Sequence, residues 1–248
     1  MTSTSVGLQR VGVIDLGSNT VRLVVYAYEP RKTYKLTDQV RQRVRLAEGL
    51  TGASRLQPAP IEHAVETLKL FRSLCGAEHV SHIIATGTSA VRDASNQAEF
   101  LSRVKRRTGL QLRVLSGVEE AYYGYLGVMN TLNMRDGLLF DLGGGSIEIT
   151  QVQGRKIAHS ASLPMGVVRL SERYMPSIPN TRRQIGALNR DAAAQFAQHD
   201  WLAHLHGAGE LVGMAARPAH WQSWIRKRVL TRWSGCMAIP SRPPRWII

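Results

Sequence analysis

The sequence predicts an α/β protein built from two similar halves. Three observations carry this. An apolar run ending in Asp-Leu-Gly occurs twice, in VGVIDLGSNTVRLVVY near residue 11 and in GLLFDLGGGSIEITQV near residue 137. Each is followed at once by a second β-branched run, the pattern of two strands around a short glycine turn. Elsewhere, segments with helical spacing of apolar residues alternate with short apolar strands. The repeat is domain-sized rather than solenoidal. Two such halves facing each other would make a cleft with one glycine turn from each side.

The elements follow in order. Residues 10–16 and 20–28 read as a hairpin, and polar and apolar residues alternate within 34–46, which predicts a third strand. Residues 59–74 place Ile61, Val65, Leu68 and either Leu70 or Phe71 on one helical face. A short buried strand is expected at 79–86, helices around 95–107 and a strand at 110–115. A helix opens at Glu119 and runs to about Asn130, with Ala121, Tyr125 and Val128 inward. Strands follow at 137–142, 146–152 and 156–163, then helices near 166–175 and 181–204, then a strand at 210–214. No Pro/Gly-rich linker separates the halves, so the boundary is expected inside the helix near 120–130.

Composition narrows the classes. The chain has 248 residues, 44% hydrophobic and 20% charged, enough to bury a core and unlike a disordered chain. No apolar run reaches the ~18 residues of a membrane span. The start, MTSTSVGLQR, has no apolar core of a signal peptide. Cys75 and Cys236 stand far apart, with neither disulfide nor zinc spacing, so a cytoplasmic protein is expected. The net charge of +14 would suit a polyanionic partner. Residues 215–248, however, hold seven Lys/Arg, no Asp or Glu, and four of the five Trp. The charge case for nucleic acid rests mainly on that segment, so neither a nucleic-acid nor a membrane partner is expected.

Glycine turns between strands expose backbone N–H groups and let a ligand approach closely. Successive N–H groups form an anion-binding concavity. In 15-DLGSNT-20 and 141-DLGGGS-146 the hydroxyls of Ser18, Thr20 and Ser146 could add donors. A single such turn could be a plain hairpin bulge, but two, each preceded by an Asp, point to phosphate. Asp15 and Asp141 either form the turns or meet a cation, and a carboxylate beside phosphate favours Mg²⁺. Glu119 and Glu120 suit a helix start through the helix dipole, yet either could serve as a base. Glu148 shares a strand face with Ser146; it is an ordinary strand residue or a second carboxylate. Arg92, in ATGTSAVRDASN, is a solvated helix arginine or a bidentate phosphate ligand.

The segments VGVIDLGSNTVRLVVY, VRLAEGL, ATGTSAVRDASN, SGVEEAYYGYLGV, DLGGGSIEI and SLPMGVVRL, in this order, resemble the exopolyphosphatase / guanosine pentaphosphate phosphohydrolase family over about residues 8–214. That family lies in the sugar-kinase/actin/heat-shock ATPase superfamily. The resemblance implies duplicated ribonuclease-H-like (actin-like ATPase) domains with an interdomain cleft, here 1–125 and a partial 126–214. It implies release of terminal phosphate from polyphosphate or guanosine pentaphosphate, with magnesium as cofactor. Carried over by position, Glu120 would be the general base, with Glu119 the fallback. Glu148 would be the second catalytic carboxylate, orienting water or metal, and Asp141 the Mg²⁺-associated aspartate. Gly143, Gly144, Gly145 and Ser146 match the phosphate loop, and Asp15, Gly17, Ser18, Asn19 and Thr20 its counterpart. Arg92 would contact the phosphate chain. The oligomeric state stays open, a homodimer among the options.

The likeness stops after Met214. The family has a third glycine motif there, whereas this chain reads AARPAHWQSWIRKRVL. Codons compatible with that stretch, with one G restored after Met214, read Gly-Gly-Thr-Ala-Arg-Thr-Leu-Ala-Lys. Residues 215–248 are therefore expected to be an out-of-frame basic tail that leaves the second domain incomplete. The alternatives are a basic tail native to the chain and, for function, an inactive or binding-only remnant or an ATP-using kinase of the superfamily.

Overall fold

The computed structural model describes residues 8–176, 178–205, 209–215 and 245–247. The chain divides into two compact units, Met1–Ser116 and Gly117–Ile248.

In the first unit, β1 (Gln9–Leu16) and β2 (Thr20–Glu29) pair antiparallel around the Gly17 turn, with Asp15 opposite Arg22. β3 (Thr33–Arg43) pairs antiparallel with β2, β4 (His82–Gly87) runs parallel to β1, and β5 (Leu112–Val114) parallel to β4. The order is β3-β2-β1-β4-β5. Strand alternation sorts the faces. Ile14, Leu16, Val21, Leu23 and Val25 are buried, while Asp15 and Arg22 are exposed. α1 (Leu50–Ala53) and α3 (Ser89–Arg92) are single turns. α2 (Pro58–Ala77) buries Ile61, Val65, Leu68 and Phe71, and α4 (Gln97–Thr108) buries Phe100 and Val104. Phe71 is the core residue; Leu70 is 55% exposed.

In the second unit, β6 (Gly137–Leu142), β7 (Ile147–Gln153) and β8 (Lys156–Leu163) form an antiparallel meander. β9 (Glu210–Ala215) lies parallel to β6, and the backbone of β10 (Arg245–Ile247) parallel to β9. Counted from the far hairpin strand, the order β8-β7-β6-β9-β10 repeats that of the first sheet. β10 thus takes the place that β5 takes there. Leu138 and Leu139 point to opposite faces, so the sheet is buried on both sides. Leu138 packs with Ile149, Leu163, Leu202 and Leu205. Leu139 packs with Val128, Met134, Val152 and Val212 under α5 (Gly117–Thr131). α6 (Val167–Tyr174) precedes α7 (Arg182–Phe196), which starts at a Thr181/Gln184 capping box. α8 (Asp200–Ala203) follows after a break, so the helix expected over 181–204 is two helices.

All of α5 goes with the second unit because its contacts are with β6, β7 and β8, so the division falls at its start. The expected motif after Met214 and most of the 215–248 segment lie outside the described residues. Among the described residues, no helix is long and apolar enough to cross a membrane.

Candidate active site

The first glycine loop closes on itself, with the Gly17 amide donating to the Thr20 carbonyl at 2.9 Å. Residues just after β3 hold it from behind. The Val44 and Arg45 amides both donate to the Asn19 carbonyl at 2.9 Å, and the Ala47 amide to the Ser18 carbonyl at 2.9 Å. In a trans peptide the C=O and the next N–H point opposite ways. With the Ser18 and Asn19 carbonyls turned to 44–47, the amides of Asn19 and Thr20 face away from that segment. The Ser18 hydroxyl is buried and bonded to Ser89 Oγ at 3.0 Å, so it ties the loop to α3.

The second loop has the same design. The Gly143 amide donates to the Ser146 carbonyl at 3.0 Å. The first turn of α6 holds the loop: Val167 donates to the Gly143 carbonyl at 3.0 Å and Val168 to the Gly144 carbonyl at 2.8 Å. The Arg169 side chain donates from Nε to the Gly145 carbonyl at 3.0 Å. Three successive carbonyls therefore face α6, and the amides of Gly144, Gly145 and Ser146 face the other way. Such a row of N–H groups is an anion-binding surface. Gly166 is required for this packing, since a Cβ there would run into the backbone of Gly144 and Gly145.

The acidic residues separate the two halves chemically. Asp15 has Arg22 directly across the hairpin. The residue as a whole is exposed, but its carboxyl is set among protein atoms. Their desolvation holds its pKa above the usual range, while the Arg22 guanidinium pulls it down. At the corresponding place Asp141 has Glu148 directly opposite. Glu148 is 7% exposed and accepts a hydrogen bond from Ser162 Oγ at 2.8 Å. α5 begins against the same serine, because a Cβ on Gly117 would overlap the Ser162 side chain. The first turn of α5 brings Glu119 and Glu120 to this side of the second unit, and Oε1 of Glu120 lies below the surface.

Arg92 is in the first unit. Its NH1 donates to the Leu115 carbonyl at 2.9 Å, and its Nε lies 3.5 Å from Asp93 Oδ1. The predicted residues thus fall into two groups. Asp15, Gly17, Ser18, Asn19, Thr20 and Arg92 belong to the first unit. Glu119, Glu120, Asp141, the loop 143–146 and Glu148 belong to the second.

Among the described residues, no three His, Cys, Asp or Glu side chains cluster as a metal site. Asp141 and Glu148 stand directly opposite each other on β6 and β7. That donor set suits a hard ion that takes one or two protein carboxylates and completes its shell with phosphate oxygens and water.

Sequence reasoning missed the residues that hold the loops: Val44–Ala47, Ser89, Gly117, Ser162, Gly166 and Arg169. Two signals were present. The segments VRLAEGL and SLPMGVVRL contain the backing residues of the first and second loops.

Residues 24–220 match the model of the Ppx/GppA phosphatase family. Exopolyphosphatase 1 of Mycobacterium bovis is 31% identical over 191 residues, 76% of this chain and 56% of that protein. Exopolyphosphatase 1 of Mycobacterium leprae is 32% identical over 218 residues, 84% of this chain and 60% of that one. The crystal structure of an exopolyphosphatase from Cytophaga hutchinsonii superposes with a TM-score of 0.78 at 28% identity, covering 84% of this chain and 67% of that chain. The α/β fold is therefore shared with that crystal structure. The chain spans less than two thirds of the length of the curated relatives it matches.

Proposed function

The chain belongs to the Ppx/GppA phosphatase family, and from that premise we propose that it is a phosphoanhydride hydrolase releasing terminal orthophosphate from a polyphosphate chain. The observation that carries the reading is the loop 143–146, whose carbonyls are held by α6 so that three amides face away from it. Consecutive amides suit the oxygens of a terminal phosphate. Inorganic polyphosphate comes first as substrate because the relatives carry the name exopolyphosphatase. Guanosine pentaphosphate, which presents the same terminal anhydride, rests on the family resemblance.

In this reading Glu120 is the general base, with Glu119 the alternative. It takes a proton from water as the water oxygen bonds to the terminal phosphorus, and the bond from that phosphorus to the bridging oxygen breaks. Glu148, fixed by the Ser162 hydroxyl, orients the water or the cation. Asp141 and Glu148 are the residues that would hold Mg²⁺, which when bound neutralises phosphate oxygens. Their like charges, directly opposite on neighbouring strands, oppose each other unless a cation or proton intervenes. Asp15, Gly17, Ser18, Asn19, Thr20 and Arg92 are the first-unit residues that the family resemblance assigns to phosphate contact, and among them the amides of Asn19 and Thr20 are turned away from the segment 44–47.

A second reading is favoured by the composition of residues 215–248, which hold seven Lys/Arg and no Asp or Glu. In it this polypeptide binds polyphosphate without hydrolysing it. A malachite-green assay with polyphosphate and guanosine pentaphosphate, with and without Mg²⁺, tests both. Mg²⁺-dependent release of orthophosphate is the outcome of the first reading, at a weak rate for this 248-residue chain. Binding without release would leave the second reading standing, and transfer of phosphate to an acceptor other than water would make the chain a kinase.

A further inference from the structure

The two glycine loops share a backbone design but are held by different means, and the difference falls on one peptide. Aligned through their aspartates, Asn19 of the first loop corresponds to Gly145 of the second, and Thr20 to Ser146. The Asn19 carbonyl accepts from two backbone amides, those of Val44 and Arg45, both at 2.9 Å. In the second loop, backbone amides of α6 hold the first two carbonyls. Val167 donates to Gly143 at 3.0 Å, and Val168 and Arg169 donate to Gly144 at 2.8 and 3.3 Å. The Gly145 carbonyl accepts instead from a side chain, Nε of Arg169 at 3.0 Å.

A backbone donor comes with the fold whatever the side chain. A side-chain donor depends on the identity of one residue. The carbonyl of Gly145 and the amide of Ser146 belong to the same peptide and point opposite ways. Holding the carbonyl toward α6 therefore aims the amide away from it. Gly145 has no Cβ, so this peptide meets little resistance to turning over. Turned over, it would present a carbonyl oxygen where an amide now stands, and the anion-binding row would lose one donor and gain a repelling dipole. Asn19 carries a Cβ and two backbone donors, so the first loop is fixed on both counts.

We propose that Arg169 is a positioning residue: its Nε latches the Gly145 carbonyl and so keeps the Ser146 amide aimed at the terminal phosphate. The proposal rests on the polyphosphate reading above and adds the side chain on which the aim of the loop depends. Arg169 acts through the peptide rather than by touching phosphate. The distinction has a chemical handle. Lysine places a carbon where arginine has Nε, so Arg169→Lys keeps the charge and removes the latching donor. Arg169→Ala removes both.

Calorimetric titration of the full chain with tripolyphosphate, in EDTA at two salt concentrations, tests it together with amide spectra of isotope-labelled protein. Both variants are expected to weaken tripolyphosphate binding about tenfold, the loss of one bond made by a charged donor. Both should shift the Ser146 amide resonance before any ligand is added, and both should leave the salt slope of the binding constant unchanged. Millimolar methylguanidinium should return part of the lost affinity to Arg169→Ala by supplying the missing donor. If Arg169→Lys binds like wild type while Arg169→Ala lowers the salt slope by about one, the charge touches phosphate directly and the proposal is overturned. An unmoved Ser146 amide overturns it as well. So does a lower melting temperature with lost affinity that methylguanidinium leaves unrestored, since the arginine would then merely support the fold. Variants that bind like a binding wild type remove this proposal alone. A wild-type chain that binds no tripolyphosphate removes the polyphosphate reading itself, and this role with it.

Discussion

At Asp15 the chemistry of the site and the stability of the fold pull apart. Burial holds its carboxyl above the usual range, with Arg22 opposing. A raised folded pKa means that the protonated form is favoured. The stability it contributes is complete below the unfolded pKa and is lost as pH rises through the folded value. Asp15→Asn should therefore melt at a higher temperature than wild type at pH 7–8, with the difference vanishing below about pH 4. The exposure of the residue as a whole damps the size of the effect. A variant that melts lower at pH 8 would show that the carboxylate is stabilised there. Glu120→Gln should lower phosphate release by about a hundredfold or more, the usual range for loss of a general base, while polyphosphate binding survives. Unchanged turnover would move the role to Glu119. Residue identity made these acidic candidates visible in the sequence, because an Asp precedes each glycine turn and a pair of Glu opens α5. It could not show that Ser18 spends its hydroxyl on Ser89, 71 positions away, or that Ser162 fixes Glu148, since both are long-range contacts.

The helices and strands show why some parts of the site are rigid. The second loop is bonded to the first turn of α6, and Gly166 lets the two backbones touch. Gly166→Ala should cost about 1–3 kcal/mol through overpacking, a melting-temperature drop of several degrees for a chain of this size. It should also weaken phosphate binding, since the loop must shift. Gly127→Ala, inside α5, is the contrast. A Cβ there meets nothing within 4 Å, so the better helix former should stabilise by about 0.5–1 kcal/mol. If both variants melt alike, local crowding is not what separates them. Most elements were legible from periodicity, because the two sheets impose strong alternation and α2 a clear apolar stripe. The break between α7 and α8 was not legible: residues 197–199 are ordinary helix formers or neutral residues, with no Gly or Pro to mark a stop. The choice between Leu70 and Phe71 also needed the structure, since both fit a helical face and only the sheet position selects one.

For the whole molecule, the doubled strand order was legible as a repeated motif, whereas the exact division was not. Nothing in the composition marks Ser116 as an end, and only the packing of α5 on β6, β7 and β8 assigns that helix. The acid-free segment after Met214 bears on activity at this scale. Restoring one base after codon 214 is expected to raise Mg²⁺-dependent phosphate release well above that of the 248-residue chain in the same assay; equal rates would count against a lost base. The two hairpins also differ in one respect that their shared geometry conceals. At the same point in the bend, one copy sets an acid against a base and the other sets an acid against an acid. The first pairs opposite charges and the second pairs like ones. The repeated backbone thus carries a different polarity in each copy, and the proposed roles of the two turns differ through that polarity rather than through shape.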